Sequence, residues 1–204
     1  MEARSPRAAL LRKELLRFFT LPIYIFNTGI GALFQLVLAG ALLIKGPALL
    51  QMLFTVPGGE GLAPLLLCAA MSFCAVMTCT TYPSLSLEGA SFWILRAHPV
   101  SVTDVFFAKI AVNLILGLPA ILLAAAAAWI ALPMSPGQGA LVLILPLLMQ
   151  IFIALFGLAA NIWMPRFSWI NETAVVKQSG SAMVAILGGL GLVYLLAGLY
   201  FPLG

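Results

Sequence analysis

VFFAKIAVNLILGLPAILLAAAAAWIAL, residues 105–132, decides the fold class. Its one charge, Lys109, lies near the start, and everything after it is apolar, small or an amide. About 20 mostly apolar residues are enough for a helix to cross the hydrocarbon of a bilayer. The run is continuous, without the alternation of a strand. A backbone in lipid must pair its own N–H and C=O groups, so the reading is a transmembrane helix. Working outward, residues 21–44, 62–82, 139–163 and 181–203 meet the same test, which gives five expected spans. The fold class is therefore an all-α polytopic membrane protein.

Composition agrees. The 204 residues are 63% hydrophobic and only 8% charged, and the mean hydropathy is +1.15. Soluble domains carry about 25% charged residues, so the solvent for most of this surface is membrane lipid. The net charge of +4 does not point to nucleic acid, because the basic residues gather at span ends and not in a patch with interleaved aromatics. Cys68, Cys74 and Cys79 lie in one apolar stretch without CxxC spacing, and read as small packing residues.

The basic residues also set an orientation. Arg4, Arg7, Arg12, Lys13 and Arg17 precede the first span, Arg96 and Lys109 belong to the connection between the second and third with its span edge, and Arg166 and Lys177 fall between the fourth and fifth. Only Lys45 falls on the other side. Lys and Arg accumulate on the cytoplasmic side, which places the N-terminus there. The first apolar run is too long for a signal-peptide core and reads as a retained helix. Residues 1–20 form a lead-in of their own, in which Ser5-Pro6 has the pattern of an N-cap and first helical position. From there Leu11, Leu15, Phe18 and Phe19 share a face, with Arg12, Lys13 and Arg17 mostly on the other. The expectation is an amphipathic helix lying in the membrane interface.

The connection between the second and third spans is unusual. SLEGASFWILRAHPVS, residues 86–101, is too polar to cross a membrane and too apolar for an ordinary loop. Residues 87–97 can form about three helical turns, with Phe92, Trp93, Ile94 and Leu95 consecutive, so the helix is apolar nearly all round and must be covered. Pro99 disfavours helix at His98. Ser101-Val102-Thr103-Asp104 then has the spacing that starts a new helix.

This segment resembles the equivalent connection of bacterial ABC-2-type ABC transporter permeases. The resemblance rests on Ser86, Leu87, Glu88 and Gly89, then Trp93, Ile94, Leu95, Arg96 and Pro99. A second match is NETAVVKQSGS, residues 171–181, and a third is the entry RKELLRFFTLPIYIFNTGIG, residues 12–31. The resemblance implies a partner cytosolic ABC ATPase, a second permease copy or half, and residence in the bacterial cytoplasmic (inner) membrane. It also implies a coupling helix at about 87–97, with Glu88, Phe92, Trp93, Leu95 and Arg96 facing the ATPase. Such units usually carry six spans, and the chain looks like the C-terminal half of a longer permease, so a truncated six-helix unit is also expected.

In the middle of the spans the polar residues are uncharged. Gln150, Ala154, Gly157 and Asn161 share one face of the fourth span, as do Asn27, Gly31 and Gln35 on the first and Asn113 and Gly117 on the third. Two readings stay open for Asn27, Gln35, Asn113, Gln150 and Asn161: a helix-packing face or the lining of a substrate path. No charge lies in the middle of a span, which argues against proton-coupled transport by this chain alone.

The chain has no G-x-x-x-x-G-K-[ST] and no H-E-x-x-H, and His98 is its only histidine. No catalytic cluster, metal site or cofactor is expected. Residues 164–179 read as either a second ATPase-facing element or a solvated extension with Trp169 as an anchor, Asn171 being a plausible N-cap. The function expected is the transmembrane permease subunit of an ABC exporter, driven by ATP hydrolysis on a separate subunit. The alternative is a non-transporting membrane assembly or anchoring protein.

Overall fold

The computed structural model describes residues 5–54, 59–97 and 100–200. Among these the regular structure is entirely helical. His98 and Pro99 lie outside the described residues, as do the side chains of Leu95 and Arg96.

Helix α1 (Pro6–Thr20) begins where expected, with the Ser5 hydroxyl accepting from the Ala8 N–H and Pro6 in the first turn. Pro22 opens α2 (Pro22–Thr28), and a break at Gly29 leads into α3 (Ile30–Phe54). The first expected span is thus a bent pair, turned by 53°. The helix also continues past Lys45 to Phe54, into what sequence reads as a connection.

Helix α4 (Gly59–Met77) carries Pro64. It ends short of the expected Tyr82, and after an interruption at residues 78–80 the chain resumes as α5 (Thr81–Ser84). A 3-10 turn (Ser86–Ser91) and α6 (Phe92–Ala97) follow. The single three-turn helix expected over 87–97 is in fact two pieces, because Gly89 adopts φ +53° and ψ −137° between them.

The long helices α7 (Val102–Ala131) and α8 (Pro136–Trp163) form an antiparallel pair. Ser101 caps the first by accepting from the Asp104 N–H, and Ser135 with Gln138 makes a reciprocal capping box at the second. Short α9 (Glu172–Val176), capped by Asn171, leads to α10 (Gly180–Tyr200). By length and apolarity four helical segments can cross a membrane, or five if the bent α2–α3 pair counts as one.

Helices α3, α4, α8 and α7 pack in a ring, each against the next, and α7 closes it against α3. Helix α10 packs outside on α8 and α4, and α1 packs along α7. The main core lies inside the ring, around Met71, Ile121, Ala124, Val142 and Ile153. A second core gathers Phe18, Tyr24, Leu87, Val112, Val175 and Val176 where α1, α2, the 3-10 turn, α7 and α9 meet. We call that end of the molecule the hub.

Candidate functional site: a charged hub beneath the connection 86–97

The hub is built on Glu88. Its side chain is almost wholly buried, and three cations surround it. Lys13 and Arg17 donate to its Oε2 at 2.8 and 2.9 Å, and Lys109 donates to its Oε1 at 3.1 Å. Lys109 is itself fully buried and also donates to Glu14 Oε1 at 3.0 Å and to the Ser84 carbonyl at 2.8 Å. Each buried charge therefore has several partners, the condition under which burying ions is tolerable. Burial disfavours the charged form of Arg17, but its bond to Glu88 and the nearby Glu14 outweigh this and hold its pKa above the ordinary value.

Helix α1, expected to lie in the membrane interface, is also tied to the bundle. Phe18 is buried in the second core, Leu11 and Leu15 pack against it, and Lys13 and Arg17 point at Glu88. Phe19, grouped with these apolar residues by sequence, faces outward, as do Leu16 and Phe26. The reason is electrostatic: a carboxylate in an apolar segment needs cations, and α1 supplies two of them. At its start Arg7 pairs with Asp104 of α7 and lies over the Phe107 ring.

The backbone of residues 78–86 is secured by side chains from four helices. An interrupted helix leaves carbonyls and N–H groups that lipid cannot satisfy. Asn113 of α7 donates to the Thr78 carbonyl at 2.6 Å, and Tyr24 of α2 donates to that of Thr80 at 2.5 Å. Asn161 of α8 accepts from both Leu85 N–H and Ser86 N–H, at 2.8 and 3.0 Å. Ser181 of α10 donates to the Tyr82 carbonyl at 3.0 Å. Asn27 donates to Tyr82 Oη and to the Val176 carbonyl, which Tyr82 Oη–H also reaches. Gly157 is needed here, because a Cβ would collide with Cys79 Sγ and Thr81.

Residues 164–171 close over the 3-10 turn. Trp169 donates its indole N–H to the Ser86 carbonyl at 2.8 Å, and the Arg166 N–H reaches Ser86 Oγ at 2.9 Å. Phe167 stacks on Phe92, with ring centroids 4.7 Å apart. The two connections read separately from sequence are therefore one unit. A cleft of about 490 Å³ opens beside it, lined in part by Arg17, Ala90, Ser91 and Trp169.

The sequence-expected residues fall into three groups. Glu88 points inward, into the ion cluster. Trp93 is 65% exposed and Ile94 41% exposed on α6, whereas Phe92 packs against Phe167. Asn27, Gln35, Asn113, Gln150 and Asn161 all bond within the bundle: Gln35 reaches the Met71 carbonyl at 3.0 Å, and Gln150 reaches Asn113 Oδ1 at 2.5 Å. Sequence reading missed Glu14, Lys13, Arg17, Lys109 and Ser86 as members of one site. A signal existed: Glu88 and Lys109 each sit in apolar surroundings where an ion needs a partner.

Residues 8–177 match the family model for the ABC-2 type transporter. The chain belongs to that family. The matched residues run from α1 through α9 and so cover every element of the hub. Comparison with curated proteins finds no match, and neither does comparison with solved structures. Members of the ABC-2 family are membrane components of transporters that work with ABC ATPases and are not themselves catalytic, so this chain is a transporter permease.

Proposed function

We propose that the chain is the permease subunit of an ABC exporter in a bacterial inner membrane, with its N-terminus cytoplasmic, coupled to a separate ATPase through α6. The observation that carries this is α6 itself. It presents Trp93 and Ile94 outward at the end of the molecule that gathers most of the basic residues, on a base held by a buried ion cluster. Apolar side chains in such a place fit a protein groove, where aromatic anchors carry most of the binding energy. Phe92, Trp93, Leu95 and Arg96 form the contact in this reading. Glu88 acts from behind, tying α6 to α1 and α7.

A push on α6 has two routes inward. One runs through Glu88 and Lys109 to α7, the other through Asn161 and Ser181 to α8 and α10. One such unit supplies half of a symmetric pathway, so it pairs with a second copy or half.

The test is affinity purification of the tagged chain from its native membrane, with and without Trp93→Ala plus Arg96→Glu. An ABC ATPase that accompanies the parent and is lost with the double variant supports the reading. An ATPase retained by both moves the contact elsewhere, to residues 164–179. No ATPase with the parent overturns the reading in favour of an anchoring protein.

A further inference from the structure

Gly89 is the one described residue with a positive φ, at +53°. The chain on its N-terminal side is clamped. Leu85 and Ser86 N–H groups both end on Asn161, Ser86 Oγ accepts from Asn161 Nδ2 and from the Arg166 N–H, and Glu88 holds three cations. On its C-terminal side the character changes at once, since Ala90, Ser91 and Trp93 are exposed. A backbone conformation open mainly to glycine thus separates a fixed base from a projecting helix.

Trp169 lies across that joint. Its N–H is bonded to Ser86 on the fixed side. Its ring crowds the place a Cβ on Gly89 would take, with Cζ2 3.0 Å and Nε1 3.2 Å from that position. Two residues earlier, Phe167 stacks on Phe92, the first residue of α6. The cleft lined by Ala90, Ser91, Phe167 and Trp169 leaves open space beside the joint.

We propose that Trp169 is a positioning residue that sets the angle of α6 against the bundle, with Gly89 as the pivot and the indole as its stop. The geometric part stands on the chain alone. The consequence for ATP-driven work rests on the proposed function above. In that reading a short α6 delivers force only if its angle is fixed, and residues 164–171 fix it through Ser86 on one side of the joint and Phe92 on the other. Trp169 then belongs to neither the ATPase contact nor the path, and acts through α6.

The test uses the full chain in lipid nanodiscs. Spin labels go on cysteines placed at exposed Trp93 and exposed Leu155, while the native Cys68, Cys74 and Cys79 are buried. The parent should give one narrow distance distribution. Trp169→Phe keeps a ring but loses the N–H, and Trp169→Ala loses both. The alanine variant should broaden the distribution to about twice the parent width, as opening of a local element does, with phenylalanine in between. An unchanged width in the alanine variant overturns the proposal. If that variant does not fold, phenylalanine decides alone: a broader distribution supports the stop and an unchanged one overturns it.

A second arm keeps Trp93 and adds the copurified ATPase. Bound ATPase of unchanged affinity but slower turnover in both variants supports positioning. Equal loss of affinity and turnover overturns it, since that marks a contact or a structural role. If the parent binds no ATPase, the proposed function falls while the spin-label result still decides the hinge.

Discussion

Glu88 and Gln150 are both buried polar side chains, and they are held in opposite ways. Glu88 sits at the hub among Lys13, Arg17 and Lys109, with Glu14 completing the cluster. Gln150 sits inside the ring and meets only neutral groups, chiefly Asn113, which passes the contact on to the Thr78 carbonyl. Charges join elements from distant parts of the chain at the hub, while amides join adjacent helices inside the ring. The difference follows from solvent. An ion far from water demands full pairing, and among the described residues the buried charges Glu14, Glu88 and Lys109 all lie at the end where several elements converge. An amide can be accommodated deep in the bundle with two or three bonds.

The strongest way to break that contrast is Glu88→Ala. It leaves Lys109 buried with one carboxylate instead of two and removes the anchor of α1. Breaking a buried pair in this way costs about 3–5 kcal/mol. SDS titration of the chain in mixed micelles should show a loss of this size. The double variant Glu88→Leu with Lys109→Met should recover much of it, because both charges go together. A small loss for the single variant would mean that water reaches the cluster and that the hub is not a buried ionic site.

Gly89→Ala probes the same region through the backbone. The positive φ and the overlying Trp169 ring both oppose a Cβ. Residues forced into such regions cost roughly 1–3 kcal/mol each, so this variant should rank second in the same titration. If it matches the parent, the joint is not fixed as described.

The amide network sharpens the comparison from the other side. A double-mutant cycle with Asn113→Leu and Gln150→Leu isolates their bond. Side-chain hydrogen bonds between membrane helices average about 0.6 kcal/mol and reach at most about 1.7, so the coupling should fall in that range. A value as large as that at Glu88 would erase the distinction between the two networks.

Much of this was legible beforehand. Long apolar runs and capping residues gave the helices near their true places, because lipid leaves the backbone few choices. The shared face of Gln150, Gly157 and Asn161 was visible as small and amide residues recurring at helical spacing, and in the structure Gln150 and Asn161 bond within the bundle. The break at residues 78–80 was not legible, because side chains from elsewhere in the chain satisfy the freed carbonyls, and the bend at Gly29 was not legible because the backbone bonds run on through it. Tyr24 reaching Thr80 and Asn161 reaching Leu85 leave no trace in local hydropathy. The direction of Glu88 was missed for a related reason. Glu88 looked like a surface contact in its own segment, and only the distant Lys13, Arg17 and Lys109 turn it inward.

Arg7→Ala is the smallest expected effect and the sharpest control. Arg7 and Asp104 join α1 to α7 as Lys13 and Arg17 join α1 to Glu88, yet the Arg7 side chain is 64% exposed. Water and salt screen an exposed pair, and holding a long side chain in place offsets most of the attraction. The variant should therefore unfold at the parent's SDS fraction within error, at low and at high salt. A clear loss at low salt that fades at high salt would show that α1 is docked by its surface charges. The ion cluster around Glu88 would then not be what holds α1, and the path from α6 to α1 through Glu88 would lose its physical basis.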